Sequence, residues 1–227
     1  MIDVLRNEKK YAISLRDFYR LKPRLQTILQ PDPFDPESRG YEVRSLYFDA
    51  ADEGDLFDVL DGLKNKQKVR LRCYDPAAEK FKMEYKCKSG TDSHKFSLSV
   101  NREEAKALMA GRYDCLYDMN TELSKELYAR MISRAYQPKV TVVYKRVVYQ
   151  CPLNDVRITF DFDIKASFNR YALIDPVASY DLISAPASGI LEVKYNDFLP
   201  GYVRTALGNL DSLQVANSKY ANARLAF

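Results

Sequence analysis

Tryptophan is absent from the 227 residues, and histidine occurs once, at His94. A single imidazole excludes sites built on two or more histidines, such as the HExxH pattern of zinc proteases. Any catalysis then falls to carboxylates, lysines and arginines. Cysteine is scarce and poorly spaced for metal. Cys73, Cys87, Cys115 and Cys151 form no CxxC pair, which argues against a zinc ribbon or a thioredoxin-type motif. They are too few for a disulfide framework and read as buried thiols of a reducing cytosol. No run approaches the ~18 apolar residues of a membrane span. The opening stretch MIDVLRNEKKYAI has no apolar signal-peptide core. A cytoplasmic protein with no membrane segment is expected. Charge imbalance is also lacking: 35 Lys+Arg against 31 Asp+Glu leave +4. What is present is apolar and aromatic, at 46% and 12%, which excludes disorder and low complexity. The length suffices for a real core, and a single α+β domain over residues 1–227 is the simplest organisation.

The strongest pattern is period two. Lys68, Arg70, Arg72 and Tyr74 alternate with Val69, Leu71 and Cys73. Lys82, Glu84, Lys86 and Lys88 oppose Met83, Tyr85 and Cys87. Arg157, Thr159, Asp161, Asp163 and Lys165 oppose Val156, Ile158, Phe160, Phe162 and Ile164. Glu192 and Lys194 oppose Leu191, Val193 and Tyr195, and Arg6, Glu8 and Lys10 share a face. Residues 140–149 and 41–48 are strand-like too, with Tyr144 in phase with Arg146 and Glu42 in phase with Arg44. Helices are expected over 15–29 (capped by Ser14 and interrupted by Pro23), 51–63, 102–110 (capped by Asn101), 124–134, 200–210 and 218–225. The stretch 31-PDPFDPESRG-40 is a loop. These elements form an α+β domain around an antiparallel sheet.

A solvated sheet face ordinarily explains polar alternation. Here Arg and Lys recur at i, i+2 with Glu as partner, opposite strongly apolar faces that helices need. With helices outside, the charged faces turn inward, and closing the sheet gives a barrel lined by cations. The inward cations are Arg6, Lys10, Lys68, Arg70, Arg72, Lys86, Lys88, Lys95, Arg146, Arg157 and Lys194. The inward carboxylates are Glu8, Glu84, Asp161, Asp163 and Glu192. Unpaired buried cations cost several kcal/mol each, so such a lumen calls for a polyanion. Guanidinium forks match phosphate oxygens, and carboxylates offer hard ligands to a divalent ion. The +4 balance and inward basic faces favour a threaded linear anion, so no nucleic acid partner is expected.

Eight short segments, in order, carry a resemblance. They are Arg6-Asn7-Glu8-Lys9-Lys10-Tyr11, Arg44-Ser45-Leu46-Tyr47-Phe48-Asp49, Lys68-Val69-Arg70-Leu71-Arg72, Glu84-Tyr85-Lys86, Tyr144-Lys145-Arg146, Val156-Arg157-Ile158-Thr159, Leu191-Glu192-Val193-Lys194 and Ser218-Lys219-Tyr220. Together they resemble the polyphosphate polymerase (VTC) domain family of the triphosphate tunnel metalloenzyme (CYTH-like) superfamily. The resemblance implies an eight-stranded antiparallel β-barrel tunnel with helices packed outside. It implies a metal-dependent enzyme that moves the γ-phosphoryl of ATP onto a polyphosphate chain, with Mn²⁺ or Mg²⁺. Lys10, Arg70, Arg72, Lys86, Arg146 and Arg157 correspond to phosphate-binding cations, Lys95 to a further tunnel lysine, and Tyr144 to a phosphate-contacting tyrosine. Lys194 joins them on the Glu192 face. Glu192 corresponds to the metal carboxylate, with Glu8 as a second metal candidate. Ser218 and Lys219 resemble a terminal pair near a phosphate, at a helix start suited to anions. Two departures stand out: Ala216 replaces an expected lysine, and Arg6 replaces the first Glu of an ExExK start, which favours the polymerase branch. Two other readings stay open, a triphosphatase of the same fold and a non-catalytic polyphosphate- or inositol-phosphate-binding domain.

Overall fold

The computed structural model describes residues 6–90, 92–208, 210 and 214–226. Residues 1–5, Thr91 of the expected Gly-Thr turn and the side chain of Arg6 lie outside the described residues. The chain divides into two compact units. The first comprises Met1–Glu42, Tyr144–Ile164 and Ser184–Asn217, and the second Val43–Val143, Lys165–Ile183 and Ser218–Phe227.

In the first unit, strand β1 (Arg6–Ser14) runs into helix α1 (Leu15–Ile28). The junction is a capping box: Ser14 Oγ accepts from the Asp17 N–H at 3.1 Å, and the Asp17 carboxylate accepts from the Ser14 N–H at 3.1 Å. Pro23 does not interrupt the helix as expected. It sits on the exposed face, where water can satisfy the carbonyl that Pro leaves unpaired. Phe18, Leu21 and Leu25 are buried against the apolar faces of β8 (Val156–Ser167) and β10 (Ser188–Asn196), with Val203 and Leu207 of α6 (Gly201–Leu207) completing the core. Phe18 meets Phe160 and Phe162 edge-on, each at 5.0 Å between ring centroids. Gly189 is required beside them, because a Cβ there would lie 2.3 Å from the Phe162 ring.

In the second unit, β4 (Lys66–Cys73), β5 (Lys80–Ser89) and β6 (Asp92–Asn101) form a meander. Val69, Leu71, Cys73, Phe81, Met83, Tyr85 and Val100 face helices α3 (Arg102–Met109), α4 (Asp114–Asp118) and α5 (Glu122–Ser133), which contribute Leu108, Met109, Leu116, Leu127 and Met131. Each such fully buried aliphatic side chain contributes about 1.5–3 kcal/mol. The expected separation of apolar and charged strand faces therefore holds in both units. Strand β3 (Tyr41–Asp49), helix α2 (Gly54–Leu60) and helix α7 (Lys219–Leu225) complete this unit's part in the charged face. Helices α2, α6 and α7 are each shorter than their apolar patterns suggest, and α4 and β6 lie where no element was expected.

The expected eight-stranded closed barrel is corrected. With β2 (Gln30–Pro31), β7 (Gln137–Cys151) and β9 (Asp181–Leu182), the sheet has 10 strands in the order β1-β10-β8-β7-β3-β4-β5-β6, β2 pairing with β7 and β9 with β8. Among the described residues β1 and β6 do not pair, so the sheet is not a closed barrel. The outer edge of β1 is taken instead by the segment at Gln214, which bridges Tyr11, with the Val215 N–H donating to the Lys10 carbonyl at 2.9 Å. That contact occupies the edge at Lys10 and Tyr11. All four cysteines are free thiols as expected, but only Cys73 is fully buried. No described helix is long and apolar enough to cross a membrane.

Candidate functional site

The second unit presents a basic face built by register. Tyr47 of β3 pairs with Arg70 of β4, which pairs with Glu84 of β5; Ser45, Arg72 and Lys82 form the next row. Lys68, Lys86 and Lys95 form a row across β4, β5 and β6. Glu84, only 3% exposed, is the hub. It accepts from Arg70 Nε at 2.6 Å, lies 3.6 Å from an Arg72 nitrogen and also pairs with Lys95. Burial pushes its carboxyl up, but Arg70, Arg72 and Lys95 together outweigh that and bring it down to about 2. Arg72 is buried and donates from Nε to Ser45 Oγ at 3.2 Å. Lys68 donates to Ser218 Oγ at 2.7 Å, and Ser218 also caps α7 by accepting from the Ala221 N–H. Lys219 begins that helix.

The first unit carries a mixed face. Glu8 pairs with Lys194 and Lys10 with Glu192 across β1 and β10, and Arg157 lies beside Lys194 in the register with β8. Lys10 Nζ is 3.1 Å from Glu8 and 3.9 Å from Glu192, and donates to the Asn217 carbonyl at 3.0 Å. Lys194 reaches Glu8 at 3.7 Å and pairs closely with Glu192. Burial pushes the Glu192 carboxyl up, while Lys194 and Lys10 hold it below the usual range against the opposing charge of Glu8. Arg146 grips Asp161 with two bonds of 2.7 and 2.8 Å and lies 5.1 Å from the Tyr144 ring centre. Arg157 pairs with Asp32 at 3.3 Å.

The structure thus gathers Arg70, Arg72, Lys86, Lys95, Ser218 and Lys219 in one unit, and Lys10, Glu8, Glu192, Lys194, Tyr144, Arg146 and Arg157 in the other. Asp163, expected to face inward, is exposed at a positive-φ position near the strand end. Arg44 is also on the other face from the cations: it donates to the carbonyls of Ala172 and Asp175 at 3.1 and 2.8 Å. Ser45, Tyr47 and Asp32 belong to the charged faces and were not singled out. The odd-numbered phase of β3, the one that pairs with Arg70 and Arg72, is the signal for the first two.

Among the described residues no group of three or more His, Cys, Asp or Glu can hold a metal ion alone. Glu8 and Glu192 nevertheless share both Lys10 and Lys194, so the two carboxylates converge. Magnesium-type ions are commonly held by one or two carboxylates plus phosphate oxygens, and this pair fits an ion that arrives with a phosphate chain.

The family model of the VTC domain matches residues 5–227. No curated protein matches the chain. Among solved structures, a candidate adenylate cyclase from Vibrio parahaemolyticus is similar over 96% of this chain and 97% of its own, at 10% identity and a TM-score of 0.51. That likeness establishes a shared fold. A conserved hypothetical protein from Pyrococcus furiosus is similar over 92% and 94%, at 13% identity and a TM-score of 0.47. A candidate adenylate cyclase from Bacillus halodurans covers 85% and 81%, at 14% identity and a TM-score of 0.44.

Proposed function

Because this chain belongs to the VTC domain family, we propose that it is a phosphotransferase that moves the γ-phosphoryl group of ATP onto a polyphosphate chain. The observation that carries the reading is the concentration of Lys68, Arg70, Arg72, Lys86 and Lys95 on one strand face around the buried Glu84. A cation cluster of this kind is self-repelling without an anion, and a linear phosphate supplies many anionic oxygens on one flexible chain.

Phosphoryl transfer needs alignment and charge more than covalent help. Arg70 and Arg72 are fixed by Glu84, Tyr47 and Ser45, so they meet phosphate oxygens with little loss of side-chain freedom. Lys86 and Lys95 extend the track along β5 and β6, and Lys219 extends it at the start of α7. The mixed face of the first unit, taken by itself, offers Lys10, Lys194, Arg146 and Arg157 to phosphate oxygens, with Tyr144 beside Arg146. Glu192 and Glu8 would hold Mn²⁺ or Mg²⁺, which when bound neutralises charge on the phosphates. The bond from the γ-phosphorus to the bridging oxygen of ADP breaks as a terminal oxygen of the acceptor chain bonds to that phosphorus. No protein nucleophile is required.

The test is incubation of the purified chain with ATP, Mn²⁺ or Mg²⁺ and short polyphosphate primers, with gel detection of long-chain product. Polymer formation supports the reading. Phosphate release from tripolyphosphate without polymer replaces it with hydrolysis, and tight tripolyphosphate binding without turnover replaces it with a binding domain.

A further inference from the structure

We propose that Tyr47 is a positioning residue of the basic face, holding the Arg70 guanidinium for an anion, and that Tyr220 of α7 fixes Tyr47 in turn. The inference rests on the phosphate-binding reading of that face and adds a residue and a regulation to it.

The geometry begins with register. Tyr47 stands directly opposite Arg70, and its hydroxyl accepts from an Arg70 Nη at 3.3 Å. The guanidinium also lies 6.0 Å from the Tyr47 ring centre. Arg70 is thus held at Nε by Glu84 and at Nη by Tyr47, two points that fix the plane of its fork. Tyr47 itself is 4% exposed and stacks on Tyr220 at 5.3 Å between centroids and 26° between planes. Tyr220 is itself anchored. Its hydroxyl donates to the buried Asp49, whose carboxylate also accepts from the Ala50, Asp55 and Leu56 N–H groups. Arg224, one turn on, ties α7 to Glu53 at 2.8 Å, and Lys68 ties Ser218 to β4. The helix therefore clamps the tyrosine that orients the arginine.

The charged and titratable groups around Tyr47 are Lys68, Arg70 and Arg72 of β4, Glu84 of β5, Asp49 of its own strand and Tyr220 of α7. Burial pushes the Tyr47 phenol up, and the three cations more than offset this, leaving it at about 8. Below that pH the neutral phenol accepts one bond and sets no further negative charge against Arg70. Above it the phenolate pairs with Arg70 and cancels part of its charge.

The experiment titrates the full chain with tripolyphosphate from pH 6.5 to 9, comparing the unaltered protein, Tyr47→Phe and Arg72→Ala by calorimetry. Loss of a hydrogen bond to a charged group predicts binding about tenfold weaker for Tyr47→Phe at pH 6.5. The ratio of the two dissociation constants should narrow to roughly threefold or less at pH 9, because only the unaltered protein titrates near 8. A ratio of one, or a ratio constant with pH as a structural defect would give, overturns the proposal while Arg72→Ala still weakens binding by the larger factor expected of a direct phosphate contact. Absence of binding by the unaltered protein overturns both this inference and the phosphate-binding reading. If Tyr47→Phe fails to fold, the unaltered protein decides: its affinity relative to a Lys-only peptide of matched charge must fall above pH 8, and a flat ratio overturns the proposal.

Discussion

The two charged sheet faces are built from the same residue types and solve opposite problems. On the mixed face of the first unit each cation has a carboxylate: Lys10 and Lys194 share Glu8 and Glu192, Arg146 has Asp161 and Arg157 has Asp32. On the basic face of the second unit Arg70, Arg72 and Lys95 converge on one carboxylate, Glu84. The first face is balanced in the folded state, and its more exposed partners such as Glu8 can be removed at small cost. The second gathers several cations around the buried Glu84 and gains most from an added anion.

The sharpest way to break this comparison is to neutralise the hub. Glu84→Gln leaves three cations without their buried counter-charge and should cost about 3–5 kcal/mol, whereas Glu8→Gln should cost ~1 kcal/mol or less. Urea unfolding measures both, and equal costs would erase the distinction. Tripolyphosphate should restore part of the loss in Glu84→Gln by binding the folded state. Next in size, Arg72→Ala should weaken tripolyphosphate binding roughly 100-fold, about 2.7 kcal/mol, with the fold kept. Arg157→Ala, which removes a cation already paired with Asp32, should cost far less on the same calorimeter. Glu192→Gln should leave metal-free tripolyphosphate affinity unchanged and lower metal-dependent turnover by roughly 10–100-fold, as loss of a ligand-shell group does. Unchanged turnover would remove Glu192 from the metal assignment.

The smallest expected effect concerns pH and lies wholly within the second unit. Asp55 is buried, which is the main cause that raises its carboxyl to about 6 despite the bond from Tyr136 at 2.7 Å. A raised acid is a cost while ionised, so stability should rise as pH falls from 6 toward the unfolded value near 4. Glu84 acts in the opposite sense. Its folded value is depressed to about 2, so its contribution is complete above the unfolded value near 4.3 and is lost as pH falls from there toward 2. Stability should therefore peak near pH 4, by about 1–2 kcal/mol over pH 7. Asp55→Asn should flatten the rise above pH 4 and leave the fall below it.

The residue pattern revealed the faces better than their connection. Alternation in β4, β5, β8 and β10 was legible because one face of each is covered by helices and the other is not, so polarity follows the pleat. In β3 both faces are buried from Val43 onward, so alternation does not say which side carries the cations, and the phase of Glu42 and Arg44 pointed the wrong way. Tyr47 and Ser45 went unmarked for that reason. Asp32, the partner of Arg157, lies in a Pro-rich loop, where no periodicity exists to read. Ser93 to Val100 alternates, but with serine as the polar residue it gave too little contrast to stand out as β6. Closure of the sheet was inferred from the need to bury charge. Pairing within each face meets much of that need locally, and the edge of β1 is met at Tyr11 by an isolated bridge from Gln214 that no strand pattern announces.

That occupied edge has a consequence for how the molecule is made. Strand β1 precedes every other strand of its sheet, yet its ladder partners, residues 188–196 and 214–215, follow much later in the chain. Until they emerge, an alternating strand with two open edges waits beside an amphipathic helix. Contacts of such long sequence separation fold slowly. The charged run of Glu8, Lys9 and Lys10 then serves the nascent chain as much as the finished one, by discouraging the waiting strand from pairing with a neighbour's.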